Sequence, residues 1–92
     1  MERLIWFLLA GTRGGPNRAR ILAALRDRPR NANQLAEALF LNYRTVLHHL
    51  KLLRQHGLIT TPTEDAYGAA YFLSATMERN LGLLDRILRE GR

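Results

Sequence analysis

Tyr43, Arg44, Leu47, His48 and Lys51 recur along one side of a helical projection of the stretch YRTVLHHLKLLRQH. Val46, Leu50 and Leu53 recur along the other. The second set is apolar and suits a core. Most of the first set can meet a polyanion through a guanidinium, an ammonium, an imidazole or a phenol. Arg44, at the start of the stretch, is the best placed for a guanine edge. Asn42 and Thr45 beside it serve equally as helix cap and phosphate contacts, and Lys51 and Arg54 further along suit backbone phosphate or solvent. Leu47 suits a thymine methyl or packing against the protein, with nothing in the sequence to choose between them. Arg18 and Arg20, upstream, suit phosphates flanking the groove, although a solvated face is the plainer account of each taken singly.

His48, His49 and His56 raise the question of a metal. Adjacent positions on a helix point about 100° apart, so His48 and His49 do not converge on one ion. His49 and His56 share a face but stand two turns apart. A phosphate or base contact for His48, and a partly buried polar position for His49, fit better. The expectation is no metal and no cofactor. The 92 residues include no cysteine, which removes disulfides, thiol catalysis and thiolate metal sites. No phosphate-binding glycine loop, nucleophile–base pair or carboxylate pair in an apolar setting is present, so an enzyme is not expected.

The elements that must position these side chains are legible from caps and breakers. Residues 2–10 read as an almost wholly apolar helix, broken by Gly11, Gly14 and Gly15. Pro16 opens a second helix that runs to about Asp27 with Ile21, Leu22 and Leu25 inward, and Pro29 stops it. Asn31 with Gln34 forms a capping-box pattern for a third helix, whose Leu35, Ala36 and Leu39 face the core. Leu41 fills a turn. Asn42 caps the fourth helix, Tyr43 to about His56, and Gly57 closes it. Two β-prone runs, Leu58 to Thr61 and Ala69 to Leu73, flank a polar loop and read as a hairpin wing. Ser74 then caps a single last helix over residues 75–89. The fold class is mainly α with a small β-hairpin, one domain over residues 1–92: an N-terminal helix, a three-helix core over 16–57 containing a helix-turn-helix over 31–57, a wing over 58–73 and a C-terminal helix.

Charge is distributed unevenly. The chain carries 14 basic and 8 acidic residues, net +6, and every basic residue except Lys51 is arginine. Residues 1–30 carry a net +5, residues 31–57 a net +2 and residues 58–92 a net −1. The positive field therefore covers the first two thirds and suits double-stranded DNA. Glu64 and Asp65 make the wing tip acidic, so a strong wing–DNA contact is doubtful, although Tyr67 could hydrogen-bond a phosphate. The apolar run Leu4 to Ala10 is too short to span a membrane and is not followed by a signal-peptide cleavage region. A cytoplasmic, nucleoid-associated protein is expected.

The segments Ala32 to Leu39, Asn42 to Val46, His48 to Leu53 and Gly57-Leu58-Ile59 resemble the winged helix-turn-helix regulators of the ArsR-like group, and Gly11 to Arg18 resembles their short archaeal members. The resemblance covers about residues 11–73. It implies a homodimeric, repressor-like protein that binds double-stranded DNA. Two departures stand out. The family's turn usually carries glycine where this chain has Phe40, and the family's metal sensors use cysteines that are absent here.

The two ends suggest a second role. Met77, Leu81, Leu84 and Leu88 form a stripe wider than a single winged core needs, and the first helix adds Leu4, Ile5, Trp6, Phe7, Leu8 and Leu9. Joined across a two-fold axis they would form a homodimer interface, the favoured reading because a monomer would expose too much apolar area; the alternative is that they cover the chain's own core. The rival functional reading is a winged-helix protein-interaction module, or a non-specific chromatin-like DNA binder. No small-molecule effector is evident.

Overall fold

The computed structural model describes residues 1–62 and 68–90. Helices α1 (Glu2–Ala10), α2 (Gly15–Asp27), α3 (Ala32–Leu39) and α4 (Tyr43–Gln55) lead into strands β1 (Ile59–Thr60) and β2 (Phe72–Leu73), followed by α5 (Ala75–Glu78) and α6 (Leu81–Glu90). The fold is a winged helix-turn-helix, mainly helical with a two-stranded antiparallel hairpin.

Local chemistry sets the boundaries. The Asn31 side chain accepts from the Gln34 backbone at 2.8 Å while Gln34 Oε1 accepts from the Asn31 backbone at 2.8 Å, the reciprocal cap that the sequence predicts. Asn42 Oδ1 accepts from the Arg44 N–H at 2.8 Å and the Thr45 N–H at 3.4 Å and so starts α4. Gly57 ends that helix region at φ +73, as expected of a left-handed residue past the last turn. Ser74 Oγ accepts from the Met77 N–H at 3.1 Å. The expected single C-terminal helix is, however, two. It stops at Glu78 and restarts at Leu81, and Asn80 spans the break by donating from its side chain to the Thr76 carbonyl at 2.8 Å. Asparagine competes with the helical backbone in this way, which favours an interruption.

Strand pairing places Ile59 opposite Leu73 and Thr60 opposite Phe72. A third chain segment, not anticipated from the sequence, joins the hairpin: Tyr71 donates its backbone N–H to the Arg30 carbonyl at 2.9 Å, an antiparallel bridge that ties the wing to the start of α3. Pro29 holds the residue before it extended and so prepares this segment. The expectations for Glu64, Asp65 and Tyr67 fall outside the described residues.

One core unites the elements. Ile21, Leu22 and Leu25 of α2, Leu35 of α3, Val46, Leu50 and Leu53 of α4, and Leu58 and Ile59 are buried together with Ile5, Leu8 and Leu9 of α1 and with Met77, Leu84 and Ile87. This corrects part of the interface expectation. Ile5, Leu8, Leu9, Met77 and Leu84 are at most 3 % exposed within the single chain and have no free surface for a partner. The cause is that α1 packs against α2 and that α6, restarting after the break at Glu78, packs against both.

Candidate nucleic-acid interface

Helix α4 is divided as the pattern predicts. Val46, His49, Leu50 and Leu53 are buried, whereas Arg44, Thr45, Leu47, His48, Lys51 and Gln55 are exposed. Burying each of the large aliphatic side chains contributes about 1.5–3 kcal/mol, enough to fix the helix's rotation about its axis. Arg44, Leu47, His48, Lys51 and Gln55 then share one stripe, within about 100° of arc. The helix carries no acidic residue. Gln55 was missed by the sequence reading; it lies four residues after Lys51, so helical periodicity alone would have found it, and its amide is of a type that reads adenine. Tyr43 does not stand fully on this stripe. It is half-buried and packs against the core, leaving its outer part at the helix start.

The two upstream arginines behave differently from the expectation. Arg18 is 4 % exposed and cannot reach a phosphate. Its Nε donates to the Leu8 carbonyl at 2.9 Å, its Nη1 to His49 Nδ1 at 3.1 Å and its Nη2 to Thr12 Oγ1. The guanidinium thus joins α1 to α4 through α2. Nothing in the local sequence reveals this, because the two partners stand 31 positions apart. Arg20 is exposed, but two of its donors are engaged, one on Asn17 Oδ1 at 3.0 Å and one on the Leu39 carbonyl at 2.7 Å, where it closes the C-terminal end of α3.

The histidines separate as expected from their angular spacing. His49 turns inward onto Arg18 while His48 stays exposed, with ring centroids 5.6 Å apart. Because a guanidinium only donates, His49 Nδ1 must accept, which places the ring proton on Nε2 and keeps the ring neutral. Burial, then the Arg18 charge, then His48 hold the His49 pKa below its usual range. Among the described residues no three potential metal-ligating side chains come together.

Phe40 itself takes the backbone conformation of the turn. Its backbone is left-handed, φ 56 and ψ 44, and its N–H reaches the Glu37 carbonyl at 3.4 Å. The turn keeps the geometry that glycine usually serves, and Phe40 accepts the strain. Its side chain is 93 % exposed.

A helix-turn-helix with a polar, basic reading helix, hinged to a wing, has the arrangement of a DNA-binding regulator. The model of the arsR family of bacterial regulatory proteins matches residues 15–61, just over half of the chain. The protein belongs to the ArsR family. The match spans α2 to β1 and takes in only the last four positions of the Gly11–Arg18 segment. There is no significant match among curated protein sequences. Among solved structures, HlyU from Vibrio cholerae N16961 is similar over 94 % of this chain and 90 % of its own, with 26 % identity and a TM-score of 0.71. A probable transcriptional regulator from Pseudomonas aeruginosa is similar over 97 % of this chain and 69 % of its own, with 21 % identity and a TM-score of 0.73. The repressor CouR, bound to a 23-mer DNA duplex, is similar over 92 % of this chain and 62 % of its own, with 17 % identity and a TM-score of 0.70. This ArsR-family chain is a DNA-binding transcriptional regulator of the winged-helix type, not an enzyme. No helix among the described residues is long and apolar enough to cross a membrane.

Proposed function

We propose that this regulator binds double-stranded DNA as a homodimeric repressor, with α4 in the major groove. The observation that carries the reading is the exposed, acid-free stripe of α4, held outward by Val46, Leu50 and Leu53. Arg44, on the first turn, makes the principal base contact, with Asn42, Tyr43 and Thr45 beside it. Asn42 already uses its side-chain oxygen as the cap and has only its amide N–H groups left for a phosphate. His48, Lys51 and Arg54 follow along the groove wall, and Arg20 keeps donors for a flanking phosphate. A protein of the same fold, CouR, is bound to a 23-mer duplex in its structure.

Dimerisation is proposed through what α1 and α6 leave uncovered. Met1, Trp6 and Phe7 are 60 %, 42 % and 56 % exposed, and Leu4, Leu81 and Leu88 are half-buried. A cleft of about 470 Å³ lies between α1, α2 and α6, with Trp6 and Leu88 among the residues lining it. An apolar patch of this kind on a 92-residue chain suits a self-complementary contact. Trp6→Ser is expected to shift the molecular mass in solution from dimer to monomer, read by light scattering; a variant that stays dimeric would remove Trp6 from the interface.

Binding is tested by fluorescence anisotropy with a labelled random duplex at two salt concentrations. Wild-type affinity should fall as salt rises, because each phosphate contact releases counterions. Arg44→Ala should weaken binding by about 1–3 kcal/mol where a base contact is made. Salt-sensitive binding that the variant leaves unchanged would argue for generic attraction to a basic surface. Absence of binding at low salt would favour the protein-interaction reading instead.

A further inference from the structure

Among the described residues Phe40 is the one non-glycine with positive φ, and it is also the most exposed large apolar side chain. Each property is unfavourable alone. A left-handed backbone crowds the Cβ of any L residue, and a phenyl ring in water gains nothing from the hydrophobic effect. The folded chain therefore gains nothing from this ring, although the backbone N–H caps α3, and strain held at one position points to a contact made outside the chain. The position is specific. Phe40 occupies the helix-turn-helix turn, four residues before Arg44, at the end of α4 that would lead into the groove. Among the described residues the exposed large apolar side chains are Met1, Trp6 and Phe7 on or beside α1, Phe72 on β2, Leu47 on α4 and Phe40 in the turn before it.

We infer that Phe40 is a specificity-determining residue whose ring, together with Leu47, packs against thymine methyl groups in the major groove. This rests on the proposal that α4 enters that groove. The C5-methyl is the apolar feature the major groove offers, and it is recognised by apolar contact, not by a hydrogen bond. Phe40 and Leu47 flank Arg44 in sequence, so the surface would read a guanine beside thymines.

The test separates fold from contact. Phe40→Gly removes both the strain and the ring, and glycine suits this backbone. The melting temperature should hold or rise by a few degrees; Phe40→Asn, which also tolerates the left-handed region, serves as the second variant. The DNA probe is the tightest duplex that the wild-type protein recovers from a random pool, synthesised once with thymine and once with uracil. Replacing thymine by uracil should weaken wild-type binding about fourfold for each methyl that the protein buries. Phe40→Gly should weaken binding to the thymine duplex and then lose less than wild type does on the uracil duplex, the remaining loss being the share of Leu47. A variant that binds the thymine duplex as well as wild type overturns the inference, and so does a loss that is the same on both duplexes. Conversion of Phe40→Gly to a monomer would assign the ring to a protein contact and overturn it as well. If wild type recovers no duplex, the failure belongs to the DNA reading itself.

Discussion

Gly15→Ala is expected to destabilise the protein by about 1–3 kcal/mol, although alanine is the better helix former by up to ~1 kcal/mol. Gly15 is buried at the start of α2, where α2 crosses the end of α1. A Cβ there would lie 2.4 Å from the Leu9 carbonyl oxygen, 2.6 Å from the Leu9 carbonyl carbon and 3.2 Å from the Ala10 nitrogen. All three are backbone atoms, so no rotamer change relieves the clash. Helix α1 cannot easily withdraw, because Ile5, Leu8 and Leu9 are fixed in the core. The melting temperature should fall by roughly 5–20 °C, the range for a domain of this size. Gly82→Ala is the matched control: Gly82 lies in α6, a Cβ there would meet nothing within 4 Å, and alanine should stabilise by about 0.5–1 kcal/mol. A neutral Gly15→Ala would mean that α1 and α2 are not in close backbone contact.

Arg18→Ala is expected to be comparably costly and to alter how stability depends on pH. Among the described residues no ion pair includes Arg18; its buried charge is compensated by the Leu8 carbonyl, Thr12 and His49. Truncation leaves the buried Leu8 carbonyl without this donor, a loss of about 1–3 kcal/mol, and the aliphatic stem's packing is lost in addition. The pH effect follows from His49, whose folded pKa lies below the unfolded value of 6.5. Above that value both states are neutral and His49 imposes no proton-linked cost. As pH falls through it, the unfolded chain takes up a proton that the native state refuses. Stability should then decline by up to about 1.4 kcal/mol per pH unit until the folded pKa is reached. Arg18→Ala removes one cause of the depression and should flatten the decline, although burial keeps part of it. His49→Gln, which retains an acceptor and does not titrate, should remove this contribution. Denaturant midpoints at pH 7.5 and 5.0 measure all three proteins. Equal slopes for wild type and both variants would refute the coupling.

The sequence by itself determined what short-range physics governs. Asn31 with Gln34, Asn42, Gly57 and Ser74 each set a helix boundary through a bond within about four residues, so their chemistry is written locally. The two faces of α4 follow from a 3.6-residue period, which made Arg44, Leu47, His48 and Lys51 legible as one surface. Tertiary structure decided what depends on distant partners. Arg18 looked like any other arginine on a basic helix until folding brought His49 to its guanidinium. The C-terminal apolar stripe read as a partner surface until a break near Asn80 turned half of it into the chain's own core. Arg30 joined the wing because a strand edge needs a backbone acceptor, and nothing in a period or a cap announces which carbonyl will supply it. A cap or a helix face is fixed by neighbours in the chain, whereas burial of a charge, choice of core and pairing of an edge are fixed by whichever segments fill the same space.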